Sequence, residues 1–160
     1  MDKSKFKKII VNKGQILQHT GELNSKIYFV KSGLLRSYYI DKNGKEHIFM
    51  FAPENSIIAD SVFPEIPCEL FIEALENSVV IQREKNINNK FQNKKLINRL
   101  MVLQMRIIML MSATALERYE YFLATYAEIN QRVPQKMIAS YLGITPETLS
   151  RVRKEILQRK

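Results

Sequence analysis

The strongest constraint on this chain is a glycine-centred apolar pattern near its C-terminal end, in QKMIASYLGITPETLSRVRKEI. If Gly143 lies in a turn, the apolar side chains on either side of it fall where two crossing helices would bury them. Ala139 supplies the small side chain that the crossing point needs. The pattern predicts a helix-turn-helix whose buried positions are Ile138, Leu142, Ile144, Leu149 and Val152.

The sequence also indicates where the second helix of this motif begins. Thr145 can cap it, Pro146 suits its first position, and Glu147 lies near the positive end of the helix dipole. In helix-turn-helix proteins this end of the second helix meets base edges in the major groove of DNA. Arg151 can bind guanine through two hydrogen bonds, and Glu147 can accept one from cytosine.

Double-stranded DNA is therefore the predicted partner of this helix. Side chains near its start can reach bases, whereas the basic residues that follow can bind phosphates and make the affinity depend on salt. The predicted DNA-contacting residues are Pro146, Glu147, Thr148, Ser150, Arg151, Arg153 and Lys154.

The charge distribution agrees with an anionic partner. The chain has 160 residues and a net charge of +9; residues 131–160 hold seven basic and two acidic side chains, a net +5. Nucleic acid is the first candidate for such a surface and acidic lipid the second. Apolar runs such as residues 107–111 are too short for a membrane helix, and MDKSKFKK lacks a signal peptide's apolar region. We expect a cytoplasmic protein without a membrane partner.

Residues that could carry other chemistry are few. Cys68 is the only cysteine, so an internal disulfide and a clustered metal site are excluded, and no metal or cofactor is predicted. His19 and His47 are typical of surface histidines rather than ligands. Cys68 is predicted to be an inert small side chain, and a thiol sensor is the alternative. The chain has no phosphate loop, nucleophile elbow or triad, so we predict that it is not an enzyme.

Residues 1–84 have the pattern of an all-β unit, with short apolar runs separated by glycines. Asn43-Gly44 predicts a two-residue hairpin turn between two such runs, and Glu76-Asn77 predicts a second hairpin. Pro64 and Pro67 interrupt the intervening segment, which should be a loop.

A long helix begins near Asn93, since no glycine or proline follows until Pro134. Its apolar residues repeat at alternating spacings of four and three, which is typical of a coiled-coil seam and favours a homodimer. The predicted interface is Leu96, Leu100, Leu103, Ile107, Leu110 and Thr114. A second apolar stripe runs through Ile97, Met101, Ile108 and Met111. The alternative is a single helix fully buried within a monomer.

These segments together predict an α+β chain. Residues 1–92 form a β-roll sensor, a double-stranded β-helix or jelly-roll-like unit; residues 93–115 form the dimerisation helix; and residues 116–160 form the helix-turn-helix domain. The last domain opens with an amphipathic helix in ALERYEYFLATYAEI. Small side chains at residues 112–115 suit a hinge before it.

The order of these segments resembles the Crp/Fnr family of bacterial transcription regulators. GELNSKIYFVKSGLLRSYYIDKNGKE is similar to the family's first β-roll hairpins, and VPQKMIASYLGITPETLSRVRK to its DNA-reading motif. The resemblance implies a sequence-specific regulator in which Glu147 and Arg151 read bases. Pro146 replaces the basic residue usual before that glutamate, so one family contact is lost or changed.

The sensor departs from the cyclic-nucleotide binders of that family. The resemblance implies a Gly-Glu pair for the ribose and an Arg-Ser pair for the phosphate, but this chain has Ala59-Asp60 and Cys68-Glu69 near those positions. A carboxylate would repel a cyclic phosphate, and no other basic residue lies between Lys45 and Arg83. We expect no cyclic AMP binding. An unidentified small-molecule effector, seated between the β-roll and the dimer helix, and RNA polymerase are the remaining candidate partners.

Both ends are shorter than in the family that the chain resembles, whose members usually begin with a helix and finish with a small β wing. Fewer phosphate contacts would make DNA binding weaker or more sensitive to salt. The alternative function is a ligand-binding or protein-interaction module that keeps the helix-turn-helix only as structure.

Overall fold

The chain was studied as a computed structural model, which describes residues 6–60, 63–85 and 93–159. At residues 93–96 and at residue 99 the description covers the backbone alone. The chain divides into two compact units, Met1–Ile87 and Asn88–Lys160. The first unit is built from strands and the second from helices, which confirms the predicted α+β class.

The first unit pairs its strands into two four-stranded antiparallel sheets, which is the predicted roll. One sheet has the order β1-β8-β3-β6 and the other the order β2-β7-β4-β5. The strands are β1 (Phe6–Val11), β2 (Ile16–Gln18), β3 (Ile27–Ser32), β4 (Leu35–Ile40), β5 (Glu46–Ala52), β6 (Ile57–Ala59), β7 (Phe71–Ala74) and β8 (Ser78–Arg83).

Apolar side chains from both sheets make one core between them. Alternate residues of a strand point to opposite faces, so Ile72 and Ala74 of β7 are buried, whereas Phe71 and Glu73 are half-buried on the other face. Burying a valine, leucine or isoleucine contributes about 1.5–3 kcal/mol. The core residues are Val11, Tyr28, Val30, Leu35, Ala52, Ile58, Ile72, Ala74 and Val80.

The hairpin predicted at Asn43-Gly44 is present, because β4 pairs with β5, but its turn differs. The N–H of Asp41 donates to the carbonyl of Lys45 (3.0 Å), so Lys42, Asn43 and Gly44 lie in the loop. The predicted two-residue turn is therefore wrong. The Asp41 carboxylate accepts from the backbone N–H of Asn43 and of Lys45. These bonds favour a three-residue loop in which a type I turn is followed by a left-handed residue, here Gly44 at φ 78°.

The second predicted hairpin is also wrong, although Glu76-Asn77 does lie in a tight connection. This connection carries the chain from β7 in one sheet to β8 in the other, so the two strands are not neighbours. The connection packs against the turn at Gly33, where an added Cβ would lie 2.8 Å from the carbonyl oxygen of Asn77. The loop expected around Pro64 and Pro67 is confirmed over residues 63–70.

The second unit contains α1 (Asn93–Ser112), α2 (Ala115–Thr125), a 3₁₀ turn (Ile129–Gln131), α3 (Gln135–Leu142) and α4 (Pro146–Gln158). The long helix begins at the predicted residue but ends at Ser112 rather than at residue 115. Thr114, predicted as the last seam residue, lies outside α1 and caps α2 instead. Its hydroxyl accepts from the N–H of Glu117 (3.3 Å), and the Glu117 carboxylate accepts from the N–H of Thr114 (2.7 Å).

Among the described residues, no helix has both the length and the apolar character needed to cross a membrane. Over the same ranges, no group of three or more histidine, cysteine, aspartate or glutamate side chains is placed to hold a metal ion.

Candidate nucleic-acid interface

The turn between α3 and α4 is the local structure that the glycine-centred pattern predicted. Gly143 ends α3 in the left-handed conformation, with φ 65° and ψ 33°. The N–H of Ile144 donates to the carbonyl of Ala139 (3.0 Å), and that of Gly143 donates to Ser140 (3.1 Å). These two bonds satisfy carbonyls that a helix end otherwise leaves without a partner, and a glycine makes the reversal inexpensive.

The side chains predicted to hold the two helices together are apolar and packed. Ile138, Leu142, Leu149 and Val152 are buried, as is the small Ala139, and Ile144 is half-buried. Tyr119 and Phe122 of α2 are also buried in this unit. Packing of this kind fixes the direction in which α4 projects.

The start of α4 is capped as the sequence predicted. The Thr145 hydroxyl accepts from the N–H of Thr148 (3.2 Å), and Pro146 occupies the first position of the helix. Hydrogen bonds from its own backbone N–H and from the Thr145 hydroxyl lower the pKa of the Glu147 carboxyl. Glu147 therefore stays ionised near neutral pH, as an acceptor of hydrogen bonds.

Four of the predicted DNA-contacting residues share the exposed side of α4, opposite Leu149 and Val152. We call this set, Glu147, Ser150, Arg151 and Lys154, the polar face of α4. Within the described part of the chain, the side chains of Ser150, Arg151 and Lys154 have no hydrogen-bond or ion-pair partner. Their donors are available to an external acceptor.

The other predicted contacts lie beside this face. Thr148 and Arg153 are half-buried at its two edges, and Pro146 is exposed at the start of the helix. Arg159, near the end of α4, forms an ion pair with Glu155 (2.7 Å), so its charge is partly engaged. Lys160 lies outside the described residues.

The predicted dimer seam is divided between exposed and half-buried positions. Leu100 and Ile107 are exposed, whereas Leu103 and Leu110 are half-buried. The side chain of Leu96 lies outside the described residues, as does any contact that it makes. More apolar surface is exposed along the second predicted stripe, Ile97, Met101, Ile108 and Met111, and at Met105 beside it. We call these five residues the apolar face of α1; Met111 is 81% exposed.

Internal hydrogen bonds engage the residues at the two positions where the resemblance implies ligand-binding pairs, Ala59-Asp60 and Cys68-Glu69. The Asp60 carboxylate, 6% exposed, accepts from the backbone N–H of Glu69 and of Leu70, both at 2.9 Å. The Lys85 ammonium donates to the carbonyl of Asp60 (2.8 Å) and to the Ser25 hydroxyl (2.7 Å). The residues present do not fit a cyclic phosphate, because a carboxylate already accepts from these backbone N–H groups.

Sequence reasoning missed Lys85, which lies just beyond the segment searched for a basic residue. Its pKa is lowered because burial penalises the ammonium. It also missed Arg118 of α2, which donates to three backbone carbonyls of the helical unit. No spacing in the sequence indicates such contacts.

The candidate redox and ligand residues have ordinary surroundings. The Cys68 thiol is buried and donates to the carbonyl of His19 (2.8 Å), and burial raises its pKa. A thiol of this kind is a poor nucleophile. His19 lies 3.1 Å from Glu22, and His47 lies 2.8 Å from Asp41; both rings are exposed, as predicted.

A family model described as the cyclic nucleotide-binding domain matches residues 8–95. The chain is 26% identical to the Anaerobic regulatory protein of Haemophilus influenzae, over 89% of this chain and 63% of that protein. It is 28% identical to the Regulatory protein HlyX of Actinobacillus pleuropneumoniae, over 68% of that protein. The chain spans less than two thirds of the length of the first of these relatives.

Solved structures share the fold. FixK2 from Bradyrhizobium japonicum has a TM-score of 0.75 and 20% identity, over 96% of this chain and 85% of that one. A crp/fnr family regulator from Eubacterium rectale has a TM-score of 0.73 and 20% identity, over 96% of this chain and 79% of that one. The likeness extends over both units of the chain.

Proposed function

The chain belongs to the cyclic nucleotide-binding domain family and, within it, to the Crp/Fnr regulators, and on that basis we propose that it is a homodimeric, sequence-specific DNA-binding transcription regulator. The observation that carries this proposal is the polar face of α4. A capped helix behind an intact turn holds guanidinium, ammonium, hydroxyl and carboxylate groups on one exposed surface. Because its relatives are regulatory proteins, we propose no catalytic activity. We also propose a cytoplasmic location, where a bacterial regulator would reach chromosomal DNA.

The polar face contains the chemistry for reading base edges. Arg151 can donate two hydrogen bonds to guanine, and Glu147 can accept one from the amino group of cytosine. Ser150 is short and can serve a base or a phosphate, whereas Lys154 can bind a phosphate. Arg153 can add a phosphate contact from the edge of this face, but Pro146 has no donor to offer.

The second copy of this chain is the proposed partner of α1. Apolar residues remain exposed over most of this helix, and their coiled-coil spacing suits a second identical helix. Leu100 and Ile107 of the predicted seam are exposed beside the apolar face, so both can contribute. Two recognition helices related by a two-fold axis would enter major grooves roughly 34 Å apart.

The sensor is proposed not to respond to cyclic AMP. The Asp60 carboxylate accepts from the backbone N–H groups of Glu69 and Leu70, next to the position where the resemblance expects the phosphate-binding pair. An effector, if one acts here, would have different chemistry, and contact with RNA polymerase stays a prediction.

The proposal is tested by selection from random DNA. The purified protein is incubated with a library of random duplexes, and bound duplexes are amplified and sequenced over several rounds at low salt. We expect a near-palindromic sequence to be enriched, as two related reading helices require. A folded protein that enriches no sequence would instead support the interaction module with a vestigial helix-turn-helix.

A further inference from the structure

Arg118, in the first turns of α2, contacts the ends of two other helices. Its Nη2 donates to the carbonyl of Leu110 (2.7 Å), its Nε to that of Ala113 (3.0 Å) and its Nη1 to that of Leu142 (3.1 Å). Leu110 lies in the last turn of α1, Ala113 follows that helix, and Leu142 ends α3. One half-buried side chain therefore joins α2 to the ends of α1 and α3.

These contacts meet a need of both helix ends. The last four carbonyls of a helix lack partners within it, and they form the negative end of its dipole. Neither α1 nor α3 has a basic residue in its own last turn. Arg118 supplies the positive charge from α2, and its planar group carries five N–H donors in a fixed arrangement, whereas an ammonium has three.

A second arginine contacts the same end of α3. The Nη2 of Arg106, in α1, donates to the carbonyl of Tyr141 (3.3 Å), and its guanidinium lies 4.2 Å from the centre of the Tyr141 ring. The turn glycine is close to this junction: a Cβ added to Gly143 would lie 3.4 Å from Leu110 and 3.5 Å from Arg118. The end of α1 thus lies against the turn that precedes α4.

We propose that Arg118 is a positioning residue that sets the orientation of α4 relative to α1, with Arg106 as a second contact. Arg118 touches no part of the polar face; it acts through the carbonyls at the ends of α1 and α3. The inference rests on the proposed function for its consequence. If the dimer forms through α1, this orientation fixes the distance between the two reading helices, and with it the preferred spacing of DNA half-sites.

The first test needs no DNA. Spin labels at Val102→Cys of α1, an exposed position away from the centre of the apolar face, and at Gln158→Cys of α4, in a Cys68→Ser background, report the distance between the two helices. Labelled chain is diluted with unlabelled chain so that only distances within one copy are measured. We expect Arg118→Gln and Arg118→Lys to broaden or shift the distance distribution, and Glu120→Gln, an exposed change on the same helix, to leave it unchanged. An unchanged distribution in both Arg118 variants overturns the proposal.

The second test uses the sequence enriched from random DNA, with the half-sites one base pair closer, unchanged or one base pair farther apart. The wild type should bind one spacing more tightly than the other two. In the Arg118 variants, the ratio of affinity at that spacing to affinity at the other two should fall about tenfold. A variant that is merely less stable would lose affinity equally at all three spacings, which also contradicts a positioning role. If the wild type enriches no sequence, the proposed function fails, whereas the spin-label distances still decide the role of Arg118.

Discussion

The roll and the polar face of α4 use their charged groups in opposite ways. In the roll, buried charges are paired with groups of the same unit: Arg36 is 4% exposed and donates to Glu73 (2.7 and 3.0 Å) and to Glu46. In the helical unit, Arg151 and Lys154 are exposed and have no partner among the described residues. The buried charges of the roll are thus engaged within their own unit, whereas Arg151 and Lys154 of α4 remain available for recognition.

The same contrast applies to the cyclic nucleotide. A ligand with a phosphate needs donors that are not already engaged, but in the roll the backbone N–H groups of Glu69 and Leu70 donate to Asp60. On α4 the donors point outward instead. The roll thus matches the cyclic nucleotide-binding domain family, but its own Asp60 already accepts from the donors that a phosphate would need.

The largest expected effect is on the roll. Arg36→Ala leaves Glu73 half-buried without its partner, and breaking a buried pair in this way costs about 3–5 kcal/mol. The free energy of unfolding, measured by urea denaturation, should fall by that amount. Lys42→Ala, in the exposed hairpin loop, should change it by less than about 0.5 kcal/mol. Equal, small effects of both variants would remove the contrast between the two units.

The apolar face of α1 offers a third kind of surface, exposed but uncharged. Ile108→Glu would place a carboxylate in the proposed dimer interface and should cost at least about 2 kcal/mol of dimer stability. Sedimentation should then show a monomer at concentrations where the wild type is a dimer. Val102→Glu, the same new charge at an exposed position farther round the same helix, tests whether any carboxylate has this effect. Dissociation of both variants, or of neither, would argue against an interface on the apolar face.

The turn itself is expected to have an intermediate effect. Gly143→Ala forces a side chain into the left-handed region at φ 65° and should cost about 1–2 kcal/mol. Gly143→Asn should cost less, because asparagine tolerates this conformation better. The two variants are compared by thermal unfolding of the helical unit. If alanine is no worse than asparagine, the backbone conformation does not account for the glycine.

The smallest expected effect concerns the sensor. Cyclic AMP added in large excess should leave the melting temperature unchanged, because a ligand that does not bind the folded state cannot stabilise it. The same measurement on Asp60→Asn, which removes the negative charge of this carboxylate, tests whether that charge is what prevents binding. A concentration-dependent rise in the wild-type melting temperature would show that the roll does accept this ligand.

The helical unit was predictable because its signals are local. Thr145, Pro146 and Gly143 act on backbone groups within a few residues, so spacing alone places the cap and the turn. A similar local signal, Thr114 followed three residues later by Glu117, could have placed the start of α2 and the end of the long helix.

The roll was less predictable because its pairing is not local. The sequence of a short turn such as Glu76-Asn77 does not show whether the strand after it pairs with the strand before it or crosses to the other sheet. The Asp60 carboxylate accepts from N–H groups 9 and 10 residues away, and one of the carbonyls that Arg118 contacts lies 24 residues away. Only the fold brings these groups together.

The most direct test of the proposed function is the effect of Arg151→Ala on recognition of the enriched DNA sequence. Mobility shifts with single-base variants of that sequence measure both affinity and base preference. The account predicts a loss of about 1–3 kcal/mol in binding, with one base position no longer discriminated, while the melting temperature and the binding of Lys42→Ala stay as in the wild type. Unchanged affinity and unchanged base preference in Arg151→Ala would contradict it.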